Sequence, residues 1–187
     1  HWFFGDGMLH AVRLEDGKAT SYRNRYVNTA LFDAKAGFGD GPPGGASNQA
    51  NVSAIWHGGK LLTSGEVGLP YEVSPADLST VGTYDFAGRL TTAFTAHPKI
   101  DPATGQLHFF GYGFTPPFLR YHVVSADGAL VRTEEIDVPA PTMMHDFIVT
   151  KEHVIFLVCP ATIRLENIEK TGSPLGWEPE LGTRIGV

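Results

Sequence analysis

Two of the eight histidines stand apart by their surroundings. His97 sits in Thr95-Ala96-His97-Pro98-Lys99, and His145 sits 48 residues later in Met143-Met144-His145-Asp146-Phe147. Each follows small or apolar residues, and Pro98 biases His97 toward extended backbone. A neutral imidazole suits iron, zinc or copper. Two imidazoles at matching places in successive structural repeats can converge on one ion, so the pair reads as two ligands of a buried metal. The competing reading is that each ring is a hydrogen-bonded core residue, as a lone histidine in an apolar strand commonly is. Glu66 is the third candidate. A metal-bound histidine usually donates its other ring N–H to a carboxylate, carbonyl or water, and Glu66 lies just past the apolar run Leu61-Leu62-Thr63 in the repeat before His97. It reads equally as a solvated carboxylate at a strand end. His57, His108, His122 and His153 lie beside turns or within alternating strands and are assigned structural or exposed roles; His10 is assigned to anchoring a loop.

The elements that must bring these residues together are short strands. With 22 Gly and 13 Pro in 187 residues, the chain is rich in turn formers. Asp16-Gly17 separates Met8–Leu14 from Ala19–Val27, which is a hairpin signal. Strands are expected at 52–56, 61–63, 69–73, 78–81, 107–112, 119–124, 130–136 and 154–158. A short helix is expected over 161–170, and a further strand begins at Arg184. The pattern repeats: Tyr71 and Tyr121 are 50 apart, Val73 and Val123 likewise, Gly59 and Gly105 are 46 apart. Several strands per period of about 50 residues is the mark of β-propeller blades. The expected fold is all-β, with about three propeller blades. Three blades do not close a ring, and the opening His1-Trp2-Phe3-Phe4 has no initiator Met. Residues 1–187 are therefore expected to be part of a single longer domain, inactive alone.

Composition narrows the function classes. A net charge of -6 argues against nucleic acid. No apolar run reaches the roughly 18 residues of a spanning helix, and no leader pattern is visible. The single Cys159 cannot close an internal disulfide and fits a reducing, cytoplasmic compartment; before Pro160 in an apolar run, it is expected to be a small core residue. Asn51-Val52-Ser53 matches a glycosylation sequon and is taken as chance. Gly37-Phe38-Gly39-Asp40-Gly41 lacks the flanking strand and helix of a dinucleotide site, and no hydrolase or phosphate-binding motif occurs. Phe114-Thr115-Pro116-Pro117-Phe118 reads as a buried loop, or else as an apolar lip for a greasy substrate.

Six segments in order carry a family resemblance: Gly5-Asp6-Gly7-Met8-Leu9-His10-Ala11, Tyr22-Arg23-Asn24-Arg25, Gly68-Leu69-Pro70-Tyr71-Glu72, Thr95-Ala96-His97-Pro98-Lys99, Leu107-His108-Phe109-Phe110-Gly111-Tyr112 and Met143-Met144-His145-Asp146-Phe147. With them the chain resembles the carotenoid cleavage oxygenases, a family that includes lignostilbene dioxygenases and a retinoid isomerohydrolase. The resemblance implies a seven-bladed propeller with Fe(II) on its axis, held by four histidines and oriented by three glutamates. It makes His97 and His145 the first two ligands and Glu66 the first of the glutamates, the remainder belonging to later blades. The implied function is oxidative cleavage of a conjugated C=C bond to two carbonyl products. The implied partners are an apolar polyene or stilbene and dioxygen, with peripheral membrane contact for substrate uptake. Stilbene-cleaving members carry Lys immediately before the glutamate. Gly65 stands there in this chain, which favours a carotenoid or apocarotenoid. Phe4 also departs from the family's usual Asp, with only a loop effect expected. The alternatives are a stilbene-cleaving dioxygenase, an isomerase, or a non-catalytic propeller that binds a partner.

Overall fold

The computed structural model describes residues 5–34 and 48–187. The opening residues 1–4, with Phe4, and the Gly37–Gly41 cluster lie outside the described residues. The chain forms two compact units, His1–Phe94 and Thr95–Val187.

In the first unit, β1 (Met8–Glu15) and β2 (Lys18–Tyr26) form the expected hairpin, in register from Met8↔Tyr26 to Glu15↔Lys18. Asp16 and Gly17 both take positive φ, at 50° and 75°, the geometry that matches a tight turn to strand twist. Gly7, from the first family segment, is required by close packing. A Cβ there would lie 2.1 Å from the Ala50 carbonyl oxygen, while the Gly7 N–H donates to Gln49 O and its carbonyl accepts from Val27 N–H. After a short helix α1 (Ala30–Ala34) comes a four-stranded antiparallel meander of β3 (Ser53–His57), β4 (Lys60–Ser64), β5 (Tyr71–Val73) and β6 (Thr80–Thr83), in that spatial order. Val27, Ala50, Tyr71 and Val73 pack as its core, and the Tyr71 hydroxyl accepts the Ala30 N–H at 3.0 Å.

The second unit opens with the same plan. Strands β7 (Lys99–Ile100), β8 (Leu107–Tyr112), β9 (Leu119–Val124) and β10 (Leu130–Ile136) form a sheet in the order β10-β9-β8-β7. Tyr71 and Tyr121 both fall on the third strand of their meanders, and Gly59 and Gly105 both turn into the second strand with φ near 70°. The 50-residue period is therefore a strand-for-strand repeat. A third sheet is built from β11 (Phe147–Val149) and β12 (Val154–Val158), with a strand from the chain's end on the far side of β12. The intervening residues fold out as a hairpin of β13 (Ala161–Ile163) and β14 (Leu175–Trp177), after which β15 (Arg184–Gly186) completes the order β11-β12-β15.

Aromatic residues pack the second and third sheets together. Phe110 is fully buried. It meets Phe147 edge-on at 5.1 Å and Phe156 at 5.7 Å, and those two rings stack on each other. Leu119, Tyr121, Val123, Met144 and Val158 extend the cluster.

Three sequence expectations are corrected here. The segment 161–170 is not one helix: it is β13, a 3₁₀ turn at Leu165–Asn167 and a four-residue helix α2 (Ile168–Thr171) stopped by left-handed Gly172. β-branched Thr162 and Ile163 are captured instead by backbone pairing, with the Ile163 N–H donating to Pro141 O. Cys159 is exposed, not a core residue: side chains alternate along the strand, Phe156 and Val158 face inward, and Leu157 and Cys159 face outward. The segment from Phe114 to Phe118 is not a buried loop. Phe114 is 53% exposed, and the turn passes through a cis Pro116-Pro117 bond.

His122 on β9 is a structural histidine, as expected, and it makes stability pH-dependent. The ring is 1% exposed, stacked on Phe109 at 4.7 Å, with Nδ1 2.9 Å from Thr133 Oγ1. Burial, helped by the nearby Arg120 charge, pushes its pKa down to about 4. Unfolded histidine titrates near 6.5. Between these values the unfolded chain binds a proton that the folded chain excludes. The His122 contribution is thus complete above about pH 6.5 and is lost as pH falls from there through about 4, up to about 3 kcal/mol in total. Urea midpoints measured across this window should fall with pH in the native protein and fall less in His122→Gln; parallel curves would rule the assignment out.

Candidate metal centre

His97 and His145 are placed by two equivalent joints. Each lies two residues ahead of the first strand of its sheet, β7 at Lys99 and β11 at Phe147. On the first side, Thr95 and Ala96 are buried, and the Thr95 hydroxyl accepts the His97 N–H at 3.2 Å. Pro98 holds the chain extended, and the Lys99↔His108 pairing locks it onto β8. On the second side, Met144 is 2% exposed and acts as an anchor. The Met143 N–H donates to Ala161 O at 2.8 Å, so the inserted hairpin supports this joint from behind.

The two rings converge. Their Nε2 atoms lie 3.1 Å apart, with ring centroids at 4.6 Å and planes at 72°. With metal–nitrogen bonds of about 2.1 Å, donors at 90° sit about 3.0 Å apart and tetrahedral donors about 3.4 Å apart. The observed separation thus fits two adjacent ligands of an octahedral or square-based site. Without an ion, one Nε2–H donates to the other ring's lone pair. A metal takes both lone pairs, leaving the protons on Nδ1 for partners behind the rings. The donor set therefore fits a first-row transition ion bound through two neutral imidazoles. His97 is half-buried and His145 exposed, and both project from the joints ahead of the strands.

Glu66 belongs to the first unit, two residues past the end of β4, and is half-buried. Beside it, Gly65 is closed in: a Cβ there would meet Asn48 Oδ1 at 2.8 Å and Asn51 Oδ1 at 3.2 Å. Asn48 cannot easily yield, since its side chain is buried, donates to Leu69 O at 2.9 Å and accepts the Ala50 N–H at 2.6 Å.

Lys99 Nζ and Asp146 Oδ1 form a 2.8 Å ion pair, between the segments that carry the two rings. Burial works to raise the Asp146 carboxyl, but the hydrogen bonds from Lys99 and the Phe147 N–H hold it below the usual carboxylate value. The signal available in the sequence was a pair of opposite charges at short offsets from the two histidines.

All 187 residues match the family described as retinal pigment epithelial membrane protein. The chain belongs to the carotenoid cleavage oxygenase family. Its sheets are accordingly blades of that family's propeller. Among curated members, it is 37% identical to carotenoid 9,10(9',10')-cleavage dioxygenase 1 of Arabidopsis thaliana, over 100% of this chain and 41% of that protein. It is 39% identical to isoeugenol monooxygenase of Pseudomonas nitroreducens, over 98% of this chain and 42% of that protein. Among solved structures, lignostilbene dioxygenase of Pseudomonas brassicacearum superposes with a TM-score of 0.80 at 35% identity, covering 94% of this chain and 40% of that one. The chain thus spans about two-fifths of the length of these members. Among the described residues, no helix is long and apolar enough to cross a membrane.

Proposed function

We propose that residues 1–187 are the N-terminal part of a single longer catalytic domain, a non-haem Fe(II) dioxygenase that cleaves a conjugated C=C bond of a carotenoid or apocarotenoid to two carbonyl products. The observation that carries this reading is the convergence of His97 and His145 Nε2 at 3.1 Å, in a chain of this family. In the proposal His97 and His145 hold the ion through Nε2, and later blades supply two more histidines. Glu66 accepts a ligand histidine's Nδ1–H, which fixes the tautomer that leaves Nε2 free to bind. Four neutral imidazoles cancel none of the metal charge. Bound there, Fe(II) would supply the redox centre that activates dioxygen. The protein's task is then to hold one double bond beside that centre and keep water away. The partners are an apolar polyene and dioxygen, with peripheral membrane contact for substrate uptake. A cytoplasmic location fits the single cysteine.

A second reading, cleavage of a stilbene or related phenol, is favoured by the 0.80 superposition on a lignostilbene dioxygenase and the 39% identity to an isoeugenol monooxygenase. Gly65 speaks against it, since the lysine of stilbene-cleaving members has no room beside Asn48. The full-length protein, purified with Fe(II), should bleach an apocarotenoid faster than a hydroxystilbene, and with ¹⁸O₂ should place one label in each carbonyl product. Gly65→Lys should not gain stilbene cleavage and should lose about 1–3 kcal/mol of stability through overpacking. Equal turnover without iron would overturn the proposal; faster stilbene cleavage would favour the second reading.

A further inference from the structure

We propose that Lys99 and Asp146 are positioning residues: their ion pair ties together the two segments that carry His97 and His145 and sets the separation of the imidazoles before metal arrives. The inference rests on the reading of those histidines as metal ligands.

The joints explain why a tie is needed. Each ring is carried by a short segment whose firm anchorage lies to its sides: Ala96 and the β7–β8 pairing for His97, Met144 and the β11–β12 pairing for His145. The core cluster that joins the two sheets lies on β8, β9, β11 and β12 and reaches the histidine joints only at Met144, so it fixes the sheets and the backbone beside His145 but not the projecting rings. The Lys99–Asp146 contact is the ion pair that links these segments beside the rings. Lys99 is two residues past His97, and Asp146 directly follows His145. The 2.8 Å contact therefore constrains the same two stretches of backbone whose Nε2 atoms meet.

Both partners are themselves held. Asp146 Oδ1 also accepts the Phe147 N–H at 2.8 Å, which fixes the carboxylate to the first residue of β11. The Lys99 ammonium lies 5.7 Å from the centre of the Phe147 ring, so its stem crosses from β7 to the start of β11. The Nε2–Nε2 hydrogen bond cannot hold the rings while a cation binds, because its proton must leave first, and the two lone pairs then face and repel each other. A fixed tie between the segments keeps the rings from swinging apart and lowers the ordering cost of binding.

A simple field effect makes the opposite forecast for one partner. If Lys99 acted only through its charge, removing it would strengthen cation binding, whereas a tie loses function from either side. Full-length protein stripped of metal by chelation would be titrated with Co(II), following the visible ligand-field bands and the dissociation constant, with thermal midpoints of the metal-free forms measured alongside. Lys99→Met and Asp146→Asn should each weaken Co(II) about tenfold, in the range of changes behind metal ligands, and shift the bands. The double variant should be no weaker than either single one. Lys99→Arg should stay within about twofold of native. Asp146→Asn keeps an acceptor for the Phe147 N–H, so its loss reports the ion pair and not the local turn. Both side chains are partly exposed, at 35% and 49%, and little change in thermal midpoint is expected. Tighter or unchanged binding in Lys99→Met, or additive losses in the double variant, would overturn the tie. His97→Ala separates the two levels: native-like Co(II) bands in that variant remove the metal reading itself. Bands lost there but native in Lys99→Met and Asp146→Asn remove only the tie.

Discussion

On the proposed dioxygenase reading, His97→Ala in the full-length protein is expected to abolish iron binding and to cut cleavage of a conjugated substrate to background, a drop of a thousandfold or more, equivalent to about 4 kcal/mol of transition-state stabilisation. The reason is geometric. The Nε2 atoms of His97 and His145 are 3.1 Å apart, close to the spacing of adjacent ligands on one ion. Removing either ring deletes one of the two donors. His145→Ala should therefore match His97→Ala, and the double variant should be no worse, as befits residues that act as a unit. His153→Ala is the control. That residue is exposed in the turn between β11 and β12, where its main chain and not its ring meets Thr150. It should keep about one iron per chain. Elemental analysis and loss of polyene absorbance provide the readouts, and iron with turnover surviving in either ligand variant would refute the assignment.

Phe110→Ala is expected to destabilise the second unit by about 3–5 kcal/mol, the usual cost of deleting a buried aromatic ring. Phe110 is 0% exposed and meets Phe147 and Phe156 edge-on, a geometry worth more than burial alone. The alanine variant would leave a cavity between β8 and the β11–β12 pair, whose rings are held in place by backbone and cannot collapse to fill it. Because β11 starts two residues past His145, the loss should also loosen the second histidine joint and weaken metal binding. Phe110→Leu keeps most of the volume and should cost less than half as much. Urea unfolding followed by tryptophan fluorescence measures both; an unchanged midpoint in Phe110→Ala would show that the cluster does not join these sheets.

The strands of the second unit are the most legible in the sequence. Those at 107–112, 119–124 and 130–136 coincide with β8, β9 and β10, because each is a sustained run bounded by Gly or Pro turns. Shorter strands leave no such mark. β7 has two residues and β11 three, too few for any period to show. Segment 161–170 reads as a helix by its period alone, while a bridge from Thr142 to Thr162 starts the segment as a strand instead. The apolar neighbours of Cys159 suggest burial, whereas it directly follows β12 and continues that strand's alternation, which sends it outward.

What the linear order of residues held was periodicity and donor type: strand repeats of about 50 residues, a histidine at the same point in two of them, and six motifs in family order. These are local properties, set by side-chain chemistry and turn preference. What it did not hold was distance. That His97 and His145 meet nitrogen to nitrogen, that Lys99 reaches Asp146, and that Gly65 is walled in by Asn48 follow from how sheets pack and loops fold back. Those contacts join residues 17 to 48 positions apart, and only the packing of the core and the backbone pairing decide which of them touch.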